Sequence, residues 1–357
     1  MLLKPIYTVL ANVGHRRVRR YMNGSVALDM PVISVGNITF GGTSKTPIAG
    51  VIAKELHAEG FKPGIVLRGY RGRIDREKLS PEVVSDGEEI FLDWRDAGDE
   101  ARQIAEQLIN DNFDIPVAVG RNRAAASELL INRHGIDLII LDDGYQYSKL
   151  RRDFDIVLVD AMRPFGNLTL GNGLLREPLL ALKRADAVLV THTEAVEKNR
   201  IDDVTRKIRK SACDKIPVYN TLTKVKRVGA FPSSAEISVH ELGDMRYLGF
   251  AGIGNIRSFE FTLNNLPGEL SGFIGYPDHH PYTKRDIGKI ARKSRAMGVD
   301  MVLTTSKDAV RLREFSEDFD FKLGVVEINI EIDRQVEFFS SVLRKLHREI
   351  QMARRAG

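Results

Sequence analysis

Short, unbroken apolar runs alternate with stretches of helical period through the first two-thirds of the chain. The runs are PVISVGN, KPGIVLRGY, DIPVAVG, IDLIILDDG, FDIVLVDA and ADAVLVTHT. They are rich in Val, Ile and Leu and do not alternate in polarity, which marks strands buried on both faces. Helical patterns over residues 47–58 and 122–133 lie among them. Strands of this kind with helices between them predict an α/β domain on a mainly parallel sheet. Near residues 220–236 the pattern changes to polar alternation with turn residues, a connection into a second, smaller α/β domain. That domain holds MRYLGFAGIGN, a basic helix KRDIGKIARKSRAMG and VDMVLTTSKDAVRL. FKLGVVEINIEI and a charged helix at about residues 333–354 close the chain. The expected organisation is therefore a helical region over 1–24, a main domain over 25–222, a smaller α/β domain with linker strands over 223–332, and a C-terminal helix over 333–357 returning to the main domain.

The first residues have their own pattern. Leu2, Leu3, Ile6, Val9, Leu10 and Val13 fall at near-helical spacing, followed by His15, Arg16, Arg17, Arg19 and Arg20. A signal peptide has the opposite order, charges first. The apolar stretch is interrupted by Lys4 and Asn12 and falls short of the ~20 residues that cross a bilayer. Two readings remain: a helix lying on an anionic membrane surface, or a first helix docked on the core with solvated arginines.

Composition narrows the classes. A chain of 357 residues with 43% hydrophobic and 28% charged residues can fill two cores. A single cysteine, Cys213, excludes an internal disulfide and a cysteine-ligated zinc site. A net charge of +5 suggests an anionic partner. Nucleic acid is the weakest such partner, because the basic residues are not interleaved with aromatics.

The candidate chemistry begins at VISVGNITFGGTSKTPIAG. A β-branched run enters a glycine turn, and Lys45 and Thr46 stand immediately before a helix. The strict phosphate-loop spacing is G-x-x-x-x-G-K-[ST]; here Thr39 and Ser44 occupy the two glycine positions. Backbone N–H groups at a helix start bind anions, a lysine there reaches terminal phosphates, and the following threonine can hold Mg²⁺. Asp142 and Asp143 end the run IDLIILDD, where such a loop needs its acidic partner. Together these predict a P-loop-type sheet that uses a nucleoside triphosphate. Asp99 in AGDEA begins a helix, where capping is the default role. Asp278, His279 and His280 lie in a turn, and a histidine paired with a carboxylate can tune a general base. Arg68, Arg71 and Arg73 in LRGYRGR, with Arg121 and Arg123 in VGRNR, follow strands at the ligand-binding edge and suit phosphate recognition.

The order SVGNITFGGTSKTP, LRGYRGR, VSDG, GDE, VGRNRAAA, LDDGYQ, GNGLLREP, AGIGN, PDHHPYT and TTSKDAVRL resembles the tetraacyldisaccharide 4′-kinases, the lipid A kinases of Gram-negative bacteria. The resemblance covers nearly the whole chain. It implies transfer of the γ-phosphate of ATP to the 4′-hydroxyl of a tetraacyldisaccharide 1-phosphate, at the cytoplasmic face of the inner membrane, reached through the N-terminal helix. By resemblance, Gly41, Gly42, Thr43, Ser44, Lys45 and Thr46 would bind ATP. Thr46, Asp142 and Asp143 would hold Mg²⁺. Asp99 would be the base that takes the hydroxyl proton, tuned by His279, and Arg68, Arg71 and Arg121 would meet the lipid headgroup. Glu177 in LREP would lie near the same cleft and join them in binding the substrate.

The family loop usually has G-G-T-G-K-T, so Ser44 is a departure, and it predicts weaker ATP binding. Tyr147 replaces a histidine, Ser306 a glutamate and Ala101 a proline. Two other readings are a switch ATPase or GTPase and a weakened, lipid-binding homologue. THTE after the last apolar run carries His192 and Glu194 where a guanine-specificity element needs lysine and aspartate.

Overall fold

The computed structural model describes residues 25–165, 175–233 and 235–356. The expected helix over residues 1–24 and the first half of GNGLLREP lie outside them. The chain forms two compact units: one ends at Leu222 and resumes at Glu331, the other is Thr223–Ile330.

The sheet of the first unit contains β1 (Val32–Asn37), β2 (Pro63–Leu67), β3 (Glu82–Ser85), β4 (Val117–Val119), β5 (Leu138–Asp142), β6 (Phe154–Asp160), β7 (Ala187–Thr191) and the start of β8 (Val218–Phe231). Its order is β8-β7-β6-β1-β5-β2-β4-β3. Every pair is parallel except β3 on β4 at the edge. β1, β2, β5, β6 and β7 are buried along their whole length, which is why their sequences are apolar without alternation. The main helices here are α1 (Lys45–Ala58), α2 (Asp99–Asn110), α3 (Arg123–His134) and α4 (Lys198–Ser211).

β1 lies between β5 and β6, while the chain leaving β1 passes through α1 to β2, two places away. Such a reversal opens a crevice at the carboxyl ends of the strands. The register pairs Val35 with Asp142, so the end of β5 stands beside the exit of β1. β6 and β7 are in register from Ile156↔Ala187 to Asp160↔Thr191, which sets Asp160 next to the residue before His192.

The second unit contains the later part of β8, the short β9 (Glu236–Ile237) antiparallel on it, β10 (Arg246–Ala251), β11 (Glu269–Gly275), β12 (Met301–Thr305) and β13 (Leu323–Ile332). β11, β10, β12 and β13 are successive parallel neighbours. Its helices are α5 (Ile256–Asn264), α6 (Lys284–Met297) and α7 (Ser306–Leu312). α6 starts in a capping box, Thr283 with Asp286, and ends at Gly298 in the left-handed conformation that glycine favours.

α8 (Gln335–Ala356) belongs to the first unit, where Phe338, Val342 and Leu346 are fully buried. Phe338 packs edge-on against Tyr219 of β8 at 5.2 Å, and Lys345 pairs with Asp186 just before β7.

Candidate active site

The loop between β1 and α1 takes its shape from two left-handed residues, Gly41 (φ 110°) and Ser44 (φ 61°, ψ 30°). Ser44 is the N-cap of α1 but makes no side-chain cap, so its hydroxyl does not occupy the helix's first N–H groups. For a residue with a Cβ this conformation costs about 1–2 kcal/mol. Ser44 Oγ lies 3.1 Å from His192 Nε2, and His192 Nδ1 lies 3.1 Å from Asp160 Oδ1. A hydrogen bond contributes about 1 kcal/mol, comparable with the backbone cost. Burial pulls the His192 pKa down, but the hydrogen bond and charge of Asp160 outweigh it and raise it overall. At the other end of the loop, Asn37 Nδ2 donates to Thr43 Oγ1 at 2.9 Å.

Thr46, one residue into α1, donates from Oγ1 to Asp142 Oδ2 at 2.5 Å. The other oxygen of Asp142 is buried and accepts no hydrogen bond. Burial, followed by the charge of Glu100, pushes the Asp142 pKa up to about 7 against the opposing pull of Thr46 and Lys45. Asp143 goes the other way. Burial would raise it, but Lys45 at 3.7 Å and Arg176 at 2.7 Å hold it well below the usual carboxylate range. Two adjacent carboxylates thus differ in kind: one is balanced by two cations, the other is buried with an oxygen to spare.

That spare oxygen, beside a threonine hydroxyl, suits a hard cation with oxygen ligands. No group of three or more His, Cys, Asp or Glu among the described residues could hold a metal alone. Mg²⁺ tolerates this, since it keeps several waters and binds through one or two protein groups plus phosphate oxygens.

Asp99 is buried, 4% exposed, as the first residue of α2. Gly98, with φ 87°, is the N-cap, so capping does not account for the aspartate. The turn at 97–99 is packed tightly on the arginine loop at 68–73. A Cβ at Gly98 would meet Tyr70 O at 2.7 Å, and one at Gly72 would meet Asp96 O at 2.4 Å. Arg68 Nε and Arg121 Nε lie 2.8 and 3.6 Å from Asp75 Oδ1, with both arginine side chains two-fifths exposed. Arg71 is left-handed (φ 64°) and its guanidinium lies over the Tyr70 ring.

The model of the tetraacyldisaccharide-1-P 4′-kinase family matches residues 1–347. The chain belongs to that family. A tetraacyldisaccharide 4′-kinase of Halothermothrix orenii is 35% identical over 84% of this chain and 79% of the relative. One of Syntrophus aciditrophicus is 36% identical over 81% and 77%. The fold is similar to that of Aquifex aeolicus LpxK, solved in complex with ATP, with a TM-score of 0.71 at 23% identity over 97% of this chain and 100% of that one.

In this family member Glu177 is not placed as a substrate contact. It is fully buried, and its oxygens accept from Arg184 at 2.9 Å and 2.9 Å and from Gln146 at 3.0 Å. Gln146 also donates to Asn37 O, so Glu177 braces the start of the phosphate loop from below. The neighbouring Arg176, which the sequence reading passed over, is the residue that reaches Asp143. Arg123, grouped with Arg121 as a candidate for phosphate recognition, is instead buried, with its guanidinium over the Tyr147 ring at 4.9 Å.

Within the second unit of this kinase, His279 is left-handed (φ 58°), with Nε2 3.5 Å from Lys307 Nζ and 3.6 Å from Asp278. His280 is used differently: Nε2 lies 3.2 Å from the α6 capping residue Asp286, and the ring stacks on Tyr276 at 4.5 Å. The contacts missed in the sequence join distant segments. Ser44 and His192, 148 positions apart, have as their only sequence signal that Asp160 and His192 end adjacent strands at the loop's edge.

Proposed function

We infer that the chain transfers the γ-phosphoryl group of ATP to the 4′-hydroxyl of a tetraacyldisaccharide 1-phosphate, a step of lipid A biosynthesis. The observation that carries the chemistry is the Thr46–Asp142 hydrogen bond at the start of α1, flanked by Lys45 and Asp143. Phosphoryl transfer is mainly positioning and charge stabilisation, and these groups supply both. The backbone N–H groups of Gly41, Gly42, Thr43 and Ser44 cradle the phosphates, and Lys45 takes the charge that develops as the γ-phosphoryl group leaves. Thr46 and Asp142 would hold Mg²⁺, which when bound neutralises phosphate oxygens. Asp143, balanced by Arg176, orients Lys45.

Asp99 accepts the proton of the 4′-hydroxyl as its oxygen forms the new P–O bond and ADP departs. Arg68, Arg71 and Arg121 bind the acceptor's phosphate. His279 is the histidine we assign to proton handling, because His280 is committed to Asp286 and Tyr276. No helix among the described residues is long and apolar enough to cross a membrane. Residues 1–24 are assigned to contact with the cytoplasmic face of the inner membrane.

The test is transfer of radiolabelled γ-phosphate from ATP·Mg to tetraacyldisaccharide 1-phosphate in detergent micelles. Wild type should turn over, and Asp99→Ala should lose about 10²–10⁴ in kcat. ATP binding and hydrolysis by a folded wild type with no transfer to lipid would sink this reading in favour of a switch ATPase.

A further inference from the structure

Ser44 is half-buried and left-handed at the point where the phosphate loop becomes α1, and its hydroxyl meets His192 at 3.1 Å. His192 is 4% exposed and itself left-handed (φ 56°). Its second nitrogen meets Asp160 Oδ1, which also accepts from Met162 N at 2.9 Å. The strand register fixes this arrangement, because β6 and β7 end side by side at Asp160 and Thr191. The ring is therefore anchored in the sheet before it touches the loop.

We propose that His192, held by Asp160, is a positioning residue for the nucleotide loop: it keeps Ser44 in the left-handed conformation that a glycine would adopt unaided. A serine released from His192 relaxes toward negative φ, which L-residues favour. The N–H groups of residues 44–46 then rotate away from the phosphates. A glycine populates positive φ about as readily as negative, so it has no need of the tether. The pair thus takes the place of one glycine, and its effect falls on ATP affinity rather than on turnover. This rests on the nucleotide reading of the loop.

The experiment is a double-mutant cycle over Ser44→Gly and His192→Ala, read as Kd for ATP·Mg by calorimetry and as KM and kcat for transfer to the lipid acceptor. His192→Ala should weaken ATP binding and raise KM by about five- to tenfold, the loss of one anchoring hydrogen bond, with kcat within about twofold. Ser44→Gly should make ATP binding insensitive to the loss of His192, because glycine needs no tether. The double variant should match Ser44→Gly, and His192→Gln should recover part of the loss. A His192→Ala protein that binds ATP like wild type would overturn the proposal, as would a double variant no better than His192→Ala. Failure of wild type itself to bind ATP would overturn the kinase reading together with this one. ATP binding without lipid transfer would remove only the acceptor assignment, and the cycle would still be read from Kd.

Discussion

Asp142 combines a hydroxyl donor on one oxygen with a buried, unbonded second oxygen, and the fold bears the cost of its charge. Its carboxyl ionises at 3.8 in the unfolded chain and at about 7 in the folded one. Between those values the unfolded state binds fewer protons, so stability falls as pH rises through the window and stays lower above it. Asp142→Asn removes the penalty and keeps an acceptor for Thr46. The metal-free variant should melt above wild type at pH 8, by about 2–4 °C for each kcal/mol recovered. The gain should be smaller at pH 5, and calorimetry at the two values checks it; an equal gain at both would show that burial of the charge is not the cause. ATP·Mg should then raise the melting temperature of wild type more than that of the variant. At this scale the sequence shows the residue types but not their partners. Lys45, Thr46 and Asp142 are legible because a loop after a strand and an acid at the end of the next strand must share one edge of a parallel sheet. The Arg176–Asp143 and Arg184–Glu177 pairs are not, because residue type says nothing of which acid a given arginine will meet.

The elements that carry the site were legible where they are long and buried. β1, β2, β5, β6 and β7 are continuous apolar runs because both their faces are covered. β3 and the one-turn helices Arg73–Arg76 and Trp94–Ala97 leave no periodic trace, being too short to repeat a pattern. Yet the approach of the turn at 97–99 to the loop at 68–73 is what sets the start of α2 against the arginine loop, and it depends on absent side chains. Gly72→Ala forces a Cβ to within 2.4 Å of a backbone oxygen, and overpacking of this kind costs about 1–3 kcal/mol. The variant should therefore unfold at lower denaturant and show a raised KM for the lipid acceptor with KM for ATP little changed. Gly60→Ala is the control for a glycine replaced without crowding: its φ is 91°, against −67° at Gly72, and a Cβ there meets nothing within 4 Å. It should cost only backbone strain, about 1 kcal/mol, with no change in either KM. Matching kinetics in the two variants would separate the loop packing from substrate binding.

At the scale of the whole molecule, the first unit is assembled from two stretches of chain, with Thr223–Ile330 between them. Its core takes Phe338, Val342 and Leu346 from α8, together with the Lys345–Asp186 pair. Burying a phenylalanine of this kind and then truncating it costs about 3–5 kcal/mol, so Phe338→Ala should lower the melting temperature of the first unit and weaken ATP binding only through that loss. A chain ending at residue 333 should fail to give a cooperative first transition. Retention of native melting in that truncation would show that α8 is dispensable to the core. The alternation of polar and apolar residues in β8 was readable as a change of texture, and a returning last helix was expected, but the partners it packs on, such as Tyr219 and Asp186, are fixed by long-range packing.

The order of assembly follows from that return. Synthesis runs from the amino terminus, so the phosphate loop emerges about three hundred residues before the helix that completes its own core. The whole intervening unit must leave the ribosome while the first is still one helix short. A nascent chain, or one cut short by a late stop codon, therefore holds every residue assigned to nucleotide chemistry and lacks the packing that steadies them. Synthesis through α8 acts as a checkpoint on the site: a segment made long after the loop closes the core around it.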